Sequence, residues 1–92
     1  MRLRVTRPAA AQIERTVAYI AEHNPQGASR VLARIQSVMM LLTEQPLAGP
    51  PTTRPGERRV LTIPYPYAIT YTVLDGEVVI LGIRHTARRP VD

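Results

Sequence analysis

The sequence predicts an α+β domain in the order β-α-α-β-β-β, with an antiparallel helical hairpin packed on one face of a small, mainly antiparallel sheet. Three observations predict it. Apolar residues recur at helical spacing in two adjacent stretches of the first half, the period changes to two in the second half, and a Pro- and Gly-rich connector divides them. Ninety-two residues make one domain, 1–92. A chain of that length buries one layer of helices on one sheet and little more.

Residues 2–6 alternate basic and apolar (Arg2, Leu3, Arg4, Val5, Thr6), the pattern of a short strand with one wet face. Pro8 suits a first helical turn, and Thr6 or Arg7 precedes it as cap. Ala10, Ile13, Val17, Ile20 and Ala21 then form an apolar stripe opposite Gln12, Glu14, Arg15 and Glu22, which predicts a helix over about residues 8–22. Asn24-Pro25 restarts the helix, because Asn caps well and Pro fits the first position. From there Ala28, Val31, Leu32, Ile35, Val38, Met39 and Leu42 keep helical spacing, predicting a second helix over about 25–45. So short a join folds the two helices back on each other. Met40 and Leu41 lie partly off the stripe and are expected to extend the core.

Residues 46–57 hold four prolines and two glycines and form the connector. Val60, Leu61 and Ile63 predict one strand, and residues 67–74, rich in aromatic and β-branched types, predict another. Asp75-Gly76 is the signature of a two-residue type I′ hairpin turn. The return strand, from Glu77 to Ile83, is almost continuously apolar and therefore central.

Composition narrows the function classes. There are no cysteines, so a disulfide framework and a Cys-based zinc site are both excluded. The first residues lack a signal-peptide core and no stretch is long enough to span a membrane, so a cytoplasmic protein without membrane association is expected. Twelve basic residues against seven acidic ones leave a net charge of +5, and all twelve are Arg. A GC-rich genome, which favours Arg codons, is one reading of that preference. Guanidinium forks also pair bidentately with carboxylates and phosphates, so an acidic protein or a nucleic acid is the expected partner class.

Four motifs, in order along nearly the whole chain, resemble the ParE/RelE superfamily of type II toxins, which includes plasmid stabilisation proteins. Tyr19-Ile20-Ala21 followed by Asn24-Pro25 resembles the family's join between its two helices. Leu41-Leu42 leading to Pro46 and Gly49 is similar to its helix end and loop. Arg58-Arg59 ahead of Pro66-Tyr67-Ala68-Ile69-Thr70-Tyr71 resembles its strand pair, and Ile83-Arg84-His85-Thr86-Ala87-Arg88-Arg89-Pro90 resembles a ParE-like ending. The resemblance implies a growth-inhibiting toxin held inactive by a cognate acidic antitoxin. ParE-like members poison DNA gyrase by contact, whereas RelE-like members cut mRNA on the ribosome. A basic adaptor that merely keeps the fold is a third reading.

RNA cleavage would need a base for the 2′-hydroxyl, cations for the phosphorane and an acid for the leaving oxygen. Candidates are Arg58, Arg59, Arg84, His85 and Arg88, with Tyr65 or Tyr67 to stack bases. For target or antitoxin binding the candidates are Arg58, Arg59, Tyr67, His85, Arg88 and Arg89. Each has a structural counter-reading: of Arg58 and Arg59, one solvated and one paired with an acid, and for His85, a cap on the last strand. His23 is read as a residue at a helix end, and Tyr71 as packed in the sheet with its hydroxyl at an edge. RelE-like sites lean on Lys and on an aromatic residue near the C-terminus; this chain has no Lys and nothing aromatic after His85. The expected function is therefore gyrase poisoning by contact, with ribosome-dependent mRNA cleavage second and no cofactor or metal in either.

Overall fold

A computed structural model describes residues 1–87. The elements are β1 (Arg2–Val5), α1 (Arg7–Ala21), α2 (Pro25–Glu44), β2 (Glu57–Leu61), β3 (Tyr67–Leu74) and β4 (Glu77–His85). They form a four-stranded sheet in the order β1-β4-β3-β2 with the helical hairpin against it. β4 is an interior strand, as its apolar run predicts. The β2–β3 and β3–β4 pairs are antiparallel, while β1 pairs parallel with β4, because the two helices carry the chain across the sheet between them.

Local chemistry sets the boundaries. The Thr6 hydroxyl, not Arg7, caps α1 by accepting from Ala9 N at 3.2 Å, and Asn24 caps α2 by accepting from Gly27 N at 2.9 Å. Asp75 and Gly76 take φ of 52° and 74°, the left-handed pair that a type I′ turn requires. The core joins Val31, Ile35, Val38, Met39 and Leu42 of α2 to Ile69 and Tyr71 of β3 and to Val78, Ile80 and Ile83 of β4.

Four expectations change. On α1 the buried residue is Ala9, with Ile13 and Ile20 packed beside it, and Ala10 is exposed. The helix begins at Arg7 and is rotated toward Ala9, because it must face both α2 and β4. Met40 and Leu41 are exposed at 60% and 41%, since the sheet and α1 cover only one side of α2. The strand expected around Val60–Ile63 runs from Glu57 to Leu61, with Ile63 in the turn beyond it and Thr62 fully buried. Thr62 is held there by its hydroxyl, which lies 3.2 Å from the carbonyls of Tyr65 and Tyr67.

Tyr71 is the fourth. Its hydroxyl is sealed inside the protein, donating to Pro46 O at 2.8 Å and accepting from Gly49 N at 2.9 Å. A Cβ on Gly49 would stand 2.7 Å from Arg59 O and 2.9 Å from the Tyr71 hydroxyl, so only glycine lets the connector lie this close. The connector is thereby pinned along β2, where Arg59 N donates to Pro50 O at 3.1 Å and Thr52 N to Glu57 O at 2.9 Å.

Candidate functional site

Strand alternation sorts the candidate residues onto two faces. Arg58 lies opposite Tyr71, and His85 opposite Tyr67, on the side that carries Ile69 and Tyr71 toward the helices. Arg59 lies opposite Thr70, and Arg84 opposite Ala68, on the other side. The neighbouring arginines 58 and 59 therefore do different things. Arg58 Nη1 donates to Gly49 O at 2.7 Å and lies 3.4 Å from Leu47 O, so it ties down the connector through carbonyls and pairs with no acid among the described residues. Arg59 and Arg84 line an open cleft of about 600 Å³ on the helix-free face, with Arg54 from the connector above them.

His85 borders the same cleft, yet its ring is engaged elsewhere. Nδ1 accepts the Ala87 N–H at 3.1 Å, which places the neutral ring's proton on Nε2. The imidazole also meets the Tyr67 ring edge-on, with centroids 5.3 Å apart and planes at 86°. Tyr65 and Tyr67 both pack against the core, and neither lines the cleft. Arg88 and Arg89 lie outside the described residues. The structure thus gathers Arg59, Arg84 and the edge of His85 around one cleft, and withdraws Arg58, Tyr65 and Tyr67 from it. The sequence reading also missed Arg54, which no motif contains, and Thr70, which lies in the strand motif without being read as a site residue; both line the cleft. His23, just past α1, sets its ring edge-on to Tyr19, with centroids 6.4 Å apart.

Gln12 is the other residue missed, because it sits on the polar side of the α1 stripe. A bulge between Thr70 and Tyr71 pairs Thr70 with Gly82 and Tyr71 with Ile80, leaving Leu81 as the extra residue of β4. β1 has already ended opposite Ile80, so the next stretch of β4 has no neighbour on that side. Gln12 Oε1 fills the gap by accepting Ile83 N–H at 2.9 Å, and a Cβ on Gly82 would come within 2.7 Å of that oxygen. Gln12 thereby fixes the strand end that carries Arg84 and His85. Gln12→Ala, which strands a part-buried donor, is expected to lower stability by about 1–3 kcal/mol and to speed exchange of the Ile83 amide. Gln12→Glu, which still offers an acceptor, should recover most of it; urea titrations with amide exchange check both.

No three His, Cys, Asp or Glu side chains among the described residues gather to hold a metal ion, and none of their helices is long and apolar enough to cross a membrane. The site is a cationic cleft on a sheet face, bordered by a histidine that caps the strand end.

A two-helix hairpin on a four-stranded mixed sheet is the layout of the ParE/RelE toxins. Residues 3–90 match the family model described as "ParE toxin of type II toxin-antitoxin system, parDE", and the chain belongs to that family. It is similar to "Putative toxin Y4kP" of Sinorhizobium fredii, 33% identical over 84 residues that span 91% of this chain and 86% of the other. It also resembles "Toxin RelE2" of Caulobacter vibrioides, 39% identical over 70 residues, covering 76% and 77% of the two chains. A solved structure titled "Chromosomal ParDE TA system from P. aeruginosa" superposes with a TM-score of 0.82 at 26% identity, covering 92% of this chain and 95% of that one.

Proposed function

We propose that this toxin inhibits growth by binding and poisoning DNA gyrase in the cytoplasm, and that a cognate acidic antitoxin neutralises it. The observation that carries the contact mechanism is how the His85 ring is held at the end of the sheet. Its Nδ1 accepts a backbone amide and its ring packs on Tyr67, contacts that support a structural role. No Lys stands nearby to replace it, since the chain has none. The antitoxin is supported by the family and by the net charge of +5. Copurification of the chain with a small acidic protein encoded beside it tests that half, and a chain that stays alone at moderate salt refutes it.

A second reading, ribosome-dependent mRNA cleavage, draws on Arg59 and Arg84 lining one open cleft. They stand on strands two apart, roughly 10 Å across the sheet. His85→Gln separates the readings, because Gln keeps a hydrogen-bonding side chain but moves no proton. A contact toxin carrying it should arrest growth and inhibit supercoiling about as well as the parent. General acid–base loss instead costs about 10²–10⁴-fold in rate. Cleavage of ribosome-bound mRNA by the parent, lost in His85→Gln, would reverse the ranking.

A further inference from the structure

The arginines divide by what they hold. Arg58 donates to Gly49 O, Arg34 holds Ile63 O at 2.8 Å, and Arg4 Nε pairs with Glu77 at 3.5 Å. That ion pair is the only one among the described residues, so within them the guanidiniums of Arg54, Arg59 and Arg84 pair with no carboxylate. All three are exposed, and all three line the cleft on the helix-free face. Strand alternation carries the charge beyond the cleft. Leu3 and Val5 of β1 pack on the core, so Arg2 and Arg4 belong to the helix-free side. Glu57 lines the cleft and Glu77 is held by Arg4, which leaves the face an excess of positive charge.

The rest of the lining selects the kind of anion. Thr53 and Thr70 add hydroxyls beside the arginines, a donor set suited to phosphate oxygens. Ala68 and Gly82, with Leu81 beside them, give a partner protein's side chain no deep pocket in which to anchor. No aromatic side chain among the described residues lines the cleft, so unpaired bases would find nothing to stack on. Arg59 and Arg84 stand on strands two apart, roughly 10 Å across the sheet. On their flexible arms the two guanidiniums can straddle a minor groove about 6 Å wide and meet phosphates of both strands.

We propose that this cleft binds the backbone phosphates of duplex DNA, without regard to base sequence, through Arg54, Arg59 and Arg84. The site deepens the gyrase reading, whose target works on duplex DNA, yet binding by the isolated chain does not depend on that enzyme. A chain that binds the duplex and leaves supercoiling untouched supports the site and removes the gyrase reading alone.

Fluorescence anisotropy with labelled duplexes of about 20 base pairs, in two unrelated sequences, tests the site. Both should bind alike. Three phosphate contacts predict a slope of log affinity on log salt near −2.7, a loss of about 40-fold between roughly 50 and 200 mM. Arg59→Gln and Arg84→Gln should each flatten that slope by about 0.9, with the circular dichroism of the fold kept. Arg30→Gln, at an exposed position on α2, removes the same charge and should leave the slope as it is. An equal change in Arg30→Gln would show that net charge rather than the cleft does the binding, and would overturn the site. Single-stranded RNA of equal length should bind about 10-fold more weakly, for want of a stacking platform. RNA that binds as tightly as the duplex, or tighter, overturns the assignment. So does polyglutamate that displaces the duplex at equal charge, which would give the cleft to acidic proteins, and so does a duplex that fails to bind at low salt.

Discussion

Ile35→Ala is expected to destabilise the protein by about 2–5 kcal/mol, enough to unfold much of the population at physiological temperature. Ile35 is fully buried, midway along the apolar face of α2 among Val31, Val38 and Met39. Truncation leaves a void that neighbours held by both the sheet and α1 cannot fill, so a cavity cost adds to the lost transfer free energy. A domain of this size has a total stability near 5–15 kcal/mol, so the change consumes a large share of it. Urea unfolding followed by circular dichroism measures the loss. Gln36→Ala, one residue on and exposed, should move the midpoint little. An unchanged midpoint for Ile35→Ala would mean that the packing face of α2 is wrongly placed.

Tyr71→Phe is expected to cost about 2–4 kcal/mol although it removes a single oxygen, because that oxygen satisfies a carbonyl and an amide at once. Pro46 O and Gly49 N would be left facing a ring that can bond neither. The connector should loosen, visible as faster exchange of the Gly49 amide and of Arg59, whose N–H reaches Pro50 O. Gly49→Ala attacks the same contact from the other side, by pushing a methyl against Arg59 O and the tyrosine ring. Because both changes open one contact, the double variant should lose less than the sum of the singles. Additive losses would show that the hydroxyl and the glycine act separately.

The chain reads its own secondary structure plainly. Helical spacing from Ala28 to Leu42, the caps Thr6 and Asn24, and the Asp75-Gly76 turn each encode local geometry in local chemistry, and each stands where it is expected. The strength of the family resemblance has the same origin, since its motifs mark joins, loops and strand ends. Ala9 in place of Ala10, and the exposure of Met40 and Leu41, were not legible. Which face of a helix is buried depends on what packs against it, and that is a property of the whole fold.

The candidate site divides along the same line. The sequence by itself determined which residues carry charge or a titratable ring, and that Arg58, Arg59, Arg84 and His85 belong to the strands and strand ends. Only the tertiary structure decided their partners. It turned Arg58 inward to hold the connector and Arg59 outward to the cleft, seated His85 on Tyr67 and the Ala87 amide, and made Gln12 the missing neighbour of β4. The physical reason is that side-chain identity is written along the chain, whereas hydrogen-bond partners come from strand pairing and loop closure between residues far apart in sequence. Gln12 and Ile83 are 71 positions apart, and Pro46 and Tyr71 are 25 apart. No pattern of local period can announce that they meet.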